Sequence, residues 1–405
     1  MRFIQIERTK FSLVDYVTIF FFLSLFFDGF YVFKNYLSFA LKSPFFFAAV
    51  SVVIVLFQGR FLKLNLRLVE VFFLTIFSIS AFLTYAVDIF TYESMRYFFA
   101  AVLFLSIGNI LRNMIEISLP SLHDLFFYAV ILIPIVSLAY YLIGIIDINI
   151  NPISANFEYR YGALIDRQNI RLVGLMGDPN ISGLSMMLLS VFSIFFIPKK
   201  SLNNVLRYLP LLALILTYSR ASILTFIIVS FFILSNKYHR IYLGKIKSFL
   251  KDPYISLAGI SLSFLSFLCL VYFFALGSIS FDFSPGERVF LWKYGLELLS
   301  DNLFVGVGLN NYVNKFDDFY GGNSFIHNSH LQILVEAGLP IFILYVVLWW
   351  LFFKLSMKFT KDCENYPAYL LLGLFINLSS LSYLVSIFSI SIILLLSNSI
   401  YKNNG

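Results

Sequence analysis

Charge is scarce in this sequence. Asp, Glu, Lys and Arg make up 13% of its residues, while 60% are apolar. A soluble domain carries about 25% charged residues. The composition therefore excludes a soluble enzyme and leaves a polytopic membrane protein. Cysteine is almost missing as well. Of the two present, Cys269 lies inside an apolar run and Cys363 in a basic segment expected on the cytoplasmic side. They cannot meet, so no disulfide is expected. No repeat with a period of roughly 20–50 residues is visible, which argues against a repeat architecture. Small residues do not follow the first apolar run in a cleavage-site pattern, so that run reads as a retained signal anchor. The net charge of +7 is not a nucleic-acid signature, because the basic residues fall between apolar runs.

What the chain does have is apolar runs of spanning length. A membrane span takes roughly 20 residues. Spans are expected near 13–33, 44–57, 68–87, 96–111, 124–146, 181–197, 208–218, 221–235, 254–276, 330–353, 367–383 and 385–400. The stretch 208–235 is long for one helix and short for two, with Tyr218-Ser219-Arg220 at its middle. The stretch 367–400 has little turn signal at its midpoint. The expected fold class is all-α: one integral membrane domain over residues 1–405, with about twelve transmembrane helices and both ends cytoplasmic. With that topology, 19 of the 29 basic residues fall inside and 10 outside. This agrees with the positive-inside rule.

Two larger segments remain on the outer face, a smaller loop at 147–180 and a larger one at 277–329. The first ends in Gly177-Asp178-Pro179-Asn180, a turn or helix-cap signal before the next span. Outer loops should be poor in basic residues, yet these segments and the 218–220 turn hold Arg160, Arg167, Arg171, Arg220 and Arg288. Arginine predominates over lysine. A guanidinium binds phosphate through paired hydrogen bonds, which an ammonium cannot do. An anionic, phosphate-bearing ligand at the outer boundary would explain the choice. The competing reading pairs these arginines with Glu158, Asp166, Asp178 and Asp282, or with lipid headgroups.

Arg220 stands between two apolar runs at the membrane boundary, where an ionisable residue is a functional candidate by default. Ser284-Pro285-Gly286-Glu287 reads as a capping box with proline at the first helical position, so Arg288 is expected in the first turn. A cation there opposes the helix dipole, and a bound anion would resolve the conflict. The predicted amphipathic helix, about 285–300, places Val289, Trp292, Leu296 and Leu299 on one side. It could lie on the membrane surface or pack on the bundle. Gly306-Val307-Gly308 lacks the context of a dinucleotide loop and reads as a turn. His327 and His330 would share a face if helical, but a third metal ligand is not evident. A neutral imidazole, with an ordinary pKa near about 6.5, suits a general base.

Several of these residues together resemble the O-antigen ligase and polymerase superfamily. They are Asp178-Pro179-Asn180, Thr217-Tyr218-Ser219-Arg220, Arg288 with Leu291-Trp292, Gly306-Val307-Gly308, His327-Asn328, and Glu336-Ala337-Gly338. The resemblance covers residues 174–345. Gly338 matches the family pattern, while Ile341 stands where a second glycine falls. The resemblance implies a metal-independent glycosyltransferase of the bacterial inner membrane, its active site facing the periplasm. The substrate would be an oligosaccharide linked to undecaprenyl diphosphate. Arg220 and Arg288 would hold the diphosphate, and His327 would be the catalytic base. His330, Asn328, Arg160, Arg167 and Arg171 are further candidate substrate contacts. No cofactor or metal and no nucleic acid is expected. Membrane lipids and a chain-length regulator protein are the expected partners. The departure at Ile341 points to a polymerase, with a ligase acting on lipid A-core as the alternative. A flippase is the rival from another class, but such transporters are often built from repeated halves.

Overall fold

The computed structural model describes residues 11–27, 31–33, 41–57, 67–86, 91–150, 157–166, 169–242, 283–320, 324–358, 366–381, 384 and 386–397. The expected span at 254–276, both cysteines and Arg167 lie outside these residues. Most of the described chain is helical. The helices are α1 (Leu13–Ser24), α2 (Ser43–Phe57), α3 (Leu68–Ala86), α4 (Tyr92–Ile117), α5 (Leu122–Ile150), α6 (Pro179–Phe195), α7 (Asn204–Leu216) and α8 (Arg220–Tyr242). Then come α9 (Phe283–Asp301), α10 (Tyr312–Tyr320), α11 (Ser329–Lys358), α12 (Tyr366–Leu378) and α13 (Ile387–Ser397).

Each expected span within the described residues falls on a helix. Among the described residues three stretches, Ser94–Ile117, Leu122–Ile150 and Ser329–Met357, are long and apolar enough to cross a membrane. Other apolar helices are shorter, such as Pro179–Phe195 and Arg220–Asn236. Large apolar side chains such as Phe57, Phe82, Ile146 and Phe231 face outward, as a lipid-facing surface requires. The ambiguous stretch 208–235 divides into α7 and α8 at Thr217-Tyr218-Ser219. The first helix is shorter than its expected span: it stops at Ser24, and Tyr31–Phe33 (β1) pairs with Leu41–Lys42 (β2).

The chain forms two compact units. The first holds Met1–Asn65, Leu105–Arg220 and Ile390–Gly405; the second holds Leu66–Phe104 and Ala221–Ser389.

In the first unit, α1 opens with a capping box between Ser12 and Asp15. Asp15 is buried, and its second oxygen accepts the Leu119 amide at 2.6 Å. An aromatic chain fills the core, with Phe22 edge-on to Phe126 at 5.2 Å and Phe126 against Phe192 at 5.1 Å. Such pairs contribute about 0.5–1.5 kcal/mol each beyond their burial. The last carbonyls of a helix lack intrahelical donors. At the end of α6 the buried Arg207 supplies them, donating to the carbonyls of Ser193, Ile197 and Pro198 at 3.0, 2.7 and 2.7 Å.

The smaller expected loop is not structureless. Phe157–Arg160 (β3), Ala163–Asp166 (β4) and Asn169–Leu172 (β5) form an antiparallel meander. Two glycines let it lie directly on α5. A Cβ on Gly144 would sit 2.4 Å from the Arg160 carbonyl, and one on Gly162 would sit 2.7 Å from the Tyr141 nitrogen.

In the second unit α11 is the central element, packed against α3, α9, α10 and α12. The end of that helix carries the features described next.

Candidate functional site

The backbone of α11 breaks at Gly338, where φ is 78° and ψ is 171°. Two residues later Pro340 has no N–H to donate. The carbonyl of Glu336 therefore lacks its helical donor, and Leu339 turns its amide away to the Leu303 carbonyl at 2.9 Å. Two carbonyls, Val335 and Glu336, are left without helical partners. Val307 and Gly308 supply them at 3.0 and 2.9 Å. Gly306-Val307-Gly308 is thus a turn, as expected, whose amides clip onto the break. The approach is backbone against backbone: a Cβ on Gly306 would sit 2.5 Å from the Glu336 carbonyl, and one on Gly338 would sit 2.5 Å from the Phe304 oxygen.

Glu336 reinforces the clip. Its carboxylate is fully buried and accepts the Asn310 amide at 2.9 Å and the Gln332 side chain at 3.1 Å. It also accepts from the Tyr312 backbone, at the start of α10. A carboxylate at a helix N-terminus satisfies orphan amides and complements the dipole. Sequence reasoning took Glu336 as part of the Glu336-Ala337-Gly338 motif. An ionisable residue inside an apolar span was the signal that it has a polar network to serve.

The His-Asn pair sits where α11 begins. Asn328 is fully buried, and its Oδ1 accepts the amides of His330 and Leu331, both at 3.1 Å. It is therefore the N-cap. Its Nδ2 is buried, with no partner within hydrogen-bond distance among the described residues. His327 lies one residue outside the helix, exposed, at φ 52°. The two histidines would share a face only if both were helical, and His327 is not. His330 is buried and points into the bundle. Its Nε2 reaches the Phe375 carbonyl at 2.9 Å and its Nδ1 the Tyr345 hydroxyl at 2.7 Å. A carbonyl can only accept, so Nε2 carries the proton, and Nδ1 accepts from the phenol. Both nitrogens of His330 are engaged by the protein, and of the two histidines His327 is the exposed one.

Arg288 is the sixth residue of α9, because the helix begins at Phe283. It therefore lies in the second turn, not the first. The Ser284 and Glu287 side chains are outside the described set. The buried side of α9 runs through Leu291, Tyr294, Gly295 and Leu299, rotated from the stripe expected, and packs on α11. Of the two placements open to this helix, the bundle is the one observed. Tyr312 donates its hydroxyl to the Leu291 carbonyl at 2.8 Å, and Trp292 its indole N–H to the Ile326 carbonyl at 2.9 Å. Burial, with Tyr294 beside it, pushes the Tyr312 phenol well above its usual range. It stays a donor at any working pH.

The first unit gathers three other stretches. Asp178 caps α6, accepting from Asn180 and Ile181 at 2.7 and 3.1 Å, with Pro179 at the first helical position. Arg171 on β5 spans from this cap to the α7–α8 turn. Its Nε donates to the Thr217 carbonyl at 3.0 Å and a terminal nitrogen to Asn180 Oδ1 at 3.2 Å. Tyr218 in that turn is left-handed, at φ 52°, and exposed. Arg220 follows, exposed, as the first residue of α8. Arg160 behaves as the competing reading had it for a loop arginine. It pairs with Glu158 at 2.8 Å and with Asp147 at 3.3 Å.

Among the described residues, no group of three or more His, Cys, Asp or Glu is arranged to hold a metal. Residues 206–346 match the family model described as O-antigen ligase. The match takes in Arg220, Arg288, Trp292, the Gly306–Gly308 turn, His327, Asn328 and Gly338, and it supports the O-antigen ligase and polymerase superfamily. No curated protein matches the chain.

Proposed function

We propose that this chain is a surface-polysaccharide polymerase of the bacterial inner membrane, acting at the periplasmic face. It transfers a growing glycan from undecaprenyl diphosphate to the non-reducing end of a lipid-linked repeat unit. The observation that carries the reading is His327. It is an exposed imidazole in a left-handed conformation, set outside a buried helix cap, within the stretch that matches the family.

In this reading an acceptor hydroxyl attacks the anomeric carbon of the donor glycan. Its proton passes to His327. The bond from the anomeric carbon to the diphosphate oxygen breaks, and undecaprenyl diphosphate leaves. Arg220 and Arg288 offset the negative charge that develops on the leaving group. In a site with little water this is a large contribution to rate. The reaction needs no metal. A protein that regulates chain length is the expected partner.

A ligase is the second reading, favoured by the family description itself. It would use the same donor and deliver the glycan to lipid A-core. Ile341, in place of the second motif glycine, weighs toward the polymerase. Deleting the gene and running the surface glycan on a gel separates the two. A single repeat unit on lipid A-core indicates a lost polymerase. Long chains accumulating on the carrier lipid indicate a lost ligase. A flippase would move its substrate unchanged, and purified protein would then form no glycosidic bond.

A further inference from the structure

Arg288, Trp292 and Gly295 are spaced four and three residues apart on α9, so they line one stripe of the helix. Two of them hold the same neighbour. Trp292 donates to the Ile326 carbonyl at 2.9 Å. A Cβ on Gly295 would sit 2.7 Å from Ile326 Cδ1, so the missing side chain makes room for that methyl group. Ile326 is itself fully buried. Its main chain and its side chain are both registered on α9, and the next residue is His327. On the far side of His327, Asn328 is buried and caps α11. His327 is thus one left-handed residue between two anchored ones.

The carbonyl that Trp292 holds belongs to the peptide plane that ends at the His327 nitrogen. Rotation of that plane about N–Cα is the φ angle of His327. A left-handed conformation is unfavourable for a residue with a side chain, so the surroundings must hold it. We infer that Trp292 is a positioning residue, which sets the His327 imidazole relative to the helix that carries Arg288. The inference rests on the roles proposed above for His327 and Arg288. An indole has one donor and no acceptor. Phenylalanine at this position keeps most of the bulk and leaves the Ile326 carbonyl without the indole donor.

The test uses full-length protein in lipid vesicles, with lipid-linked repeat units extracted from cells that lack the gene. Rates are taken per folded protein, counted by its monodisperse fraction. Trp292→Phe should lower kcat by about 10–10²-fold, the scale of a misplaced catalytic group, with KM for the carrier-linked donor changed by less than about 2-fold. Gly295→Ala, which disturbs Ile326 through its side chain, should lower kcat in the same way. In a His327→Ala background, Trp292→Phe should cost less than about 2-fold more, because the group it positions is gone. Full kcat in Trp292→Phe, with His327→Ala impaired, overturns the inference alone. Equal losses in both backgrounds mean a merely structural tryptophan and overturn it too. Full activity in His327→Ala overturns the reading of the base, and this inference with it.

Discussion

Replacing Gly338 by alanine adds one methyl group at the point where α11 is clipped to the Gly306–Gly308 turn. Two costs arise. The first is conformational: φ 78° and ψ 171° lie in a region essentially reserved for glycine, worth about 1–3 kcal/mol of strain for another residue. The second is steric. The new Cβ would stand 2.5 Å from the Phe304 oxygen and 2.9 Å from the Gly306 nitrogen, and these are backbone atoms that cannot swing aside. The turn must retreat, loosening the bonds from Val307, Gly308 and Leu339. At about 0.5–1.5 kcal/mol each, losing two of the three with the strain gives a total of roughly 2–6 kcal/mol. The assay is a thermal melt of detergent-purified protein, followed by tryptophan fluorescence. For a chain of 405 residues a fall in midpoint of roughly 2–7 °C is expected. Gly306→Ala meets the same contact from the other side, at φ 74°, and should behave alike. A double alanine variant should cost less than the two single costs together, since both break one clip. An unchanged midpoint for Gly338→Ala would refute the close approach itself.

Other outcomes are expected from the site. His327→Ala should lower the transfer rate by about 10²–10⁴-fold, the range for a general base, while carrier binding holds; the reverse ranking against His330→Ala would overturn the assignment. His330→Ala should act on stability instead, because it strands the Tyr345 hydroxyl and the Phe375 carbonyl, at about 1–3 kcal/mol for each buried group, read as a lower melting midpoint. Arg288→Lys should bind the carrier diphosphate much less tightly, because lysine keeps the charge but loses the fork; normal affinity in that variant would exclude a bidentate contact. Purified protein in excess chelator should keep its activity, and loss with rescue by a divalent ion would move His327 to a ligand role.

The helices were legible because the membrane writes them plainly. A run of apolar residues at spanning length leaves few alternatives, and the polar Thr217-Tyr218-Ser219 break was enough to part α7 from α8. The meander at 157–172 was not legible. Its strands mix arginine, tyrosine and aliphatic residues without a clean alternation, and its strongest turn signal is the short Tyr161-Gly162 pair. What holds it down is the bare backbone of Gly144 against the Arg160 carbonyl, and a glycine in a sequence does not say what approaches it. The same limit hid the clip. Gly306 and Gly338 were both noted, but the bonds between their segments are main-chain to main-chain and leave no trace in side-chain identity. Spacing left the histidines open, since a separation of three gives one face only if both are helical. A helix cap at Asn328 divides them.

These features converge on one segment. The stretch from Ile326 to Pro340 receives the Trp292 indole at its start, the Val307 and Gly308 amides at its break, and the Asn310 amide at the Glu336 carboxylate between them. Each contact comes from the polar segment that precedes it in the chain. The clip answers the break at Gly338 and Pro340, and the indole reaches the peptide that precedes His327. The left-handed conformation of His327 is unfavourable by roughly 1–2 kcal/mol on its own. The protein keeps a histidine at this position and surrounds it with fixed neighbours. In the proposed transfer the direction of the imidazole matters, because a general base must meet the proton of the acceptor hydroxyl.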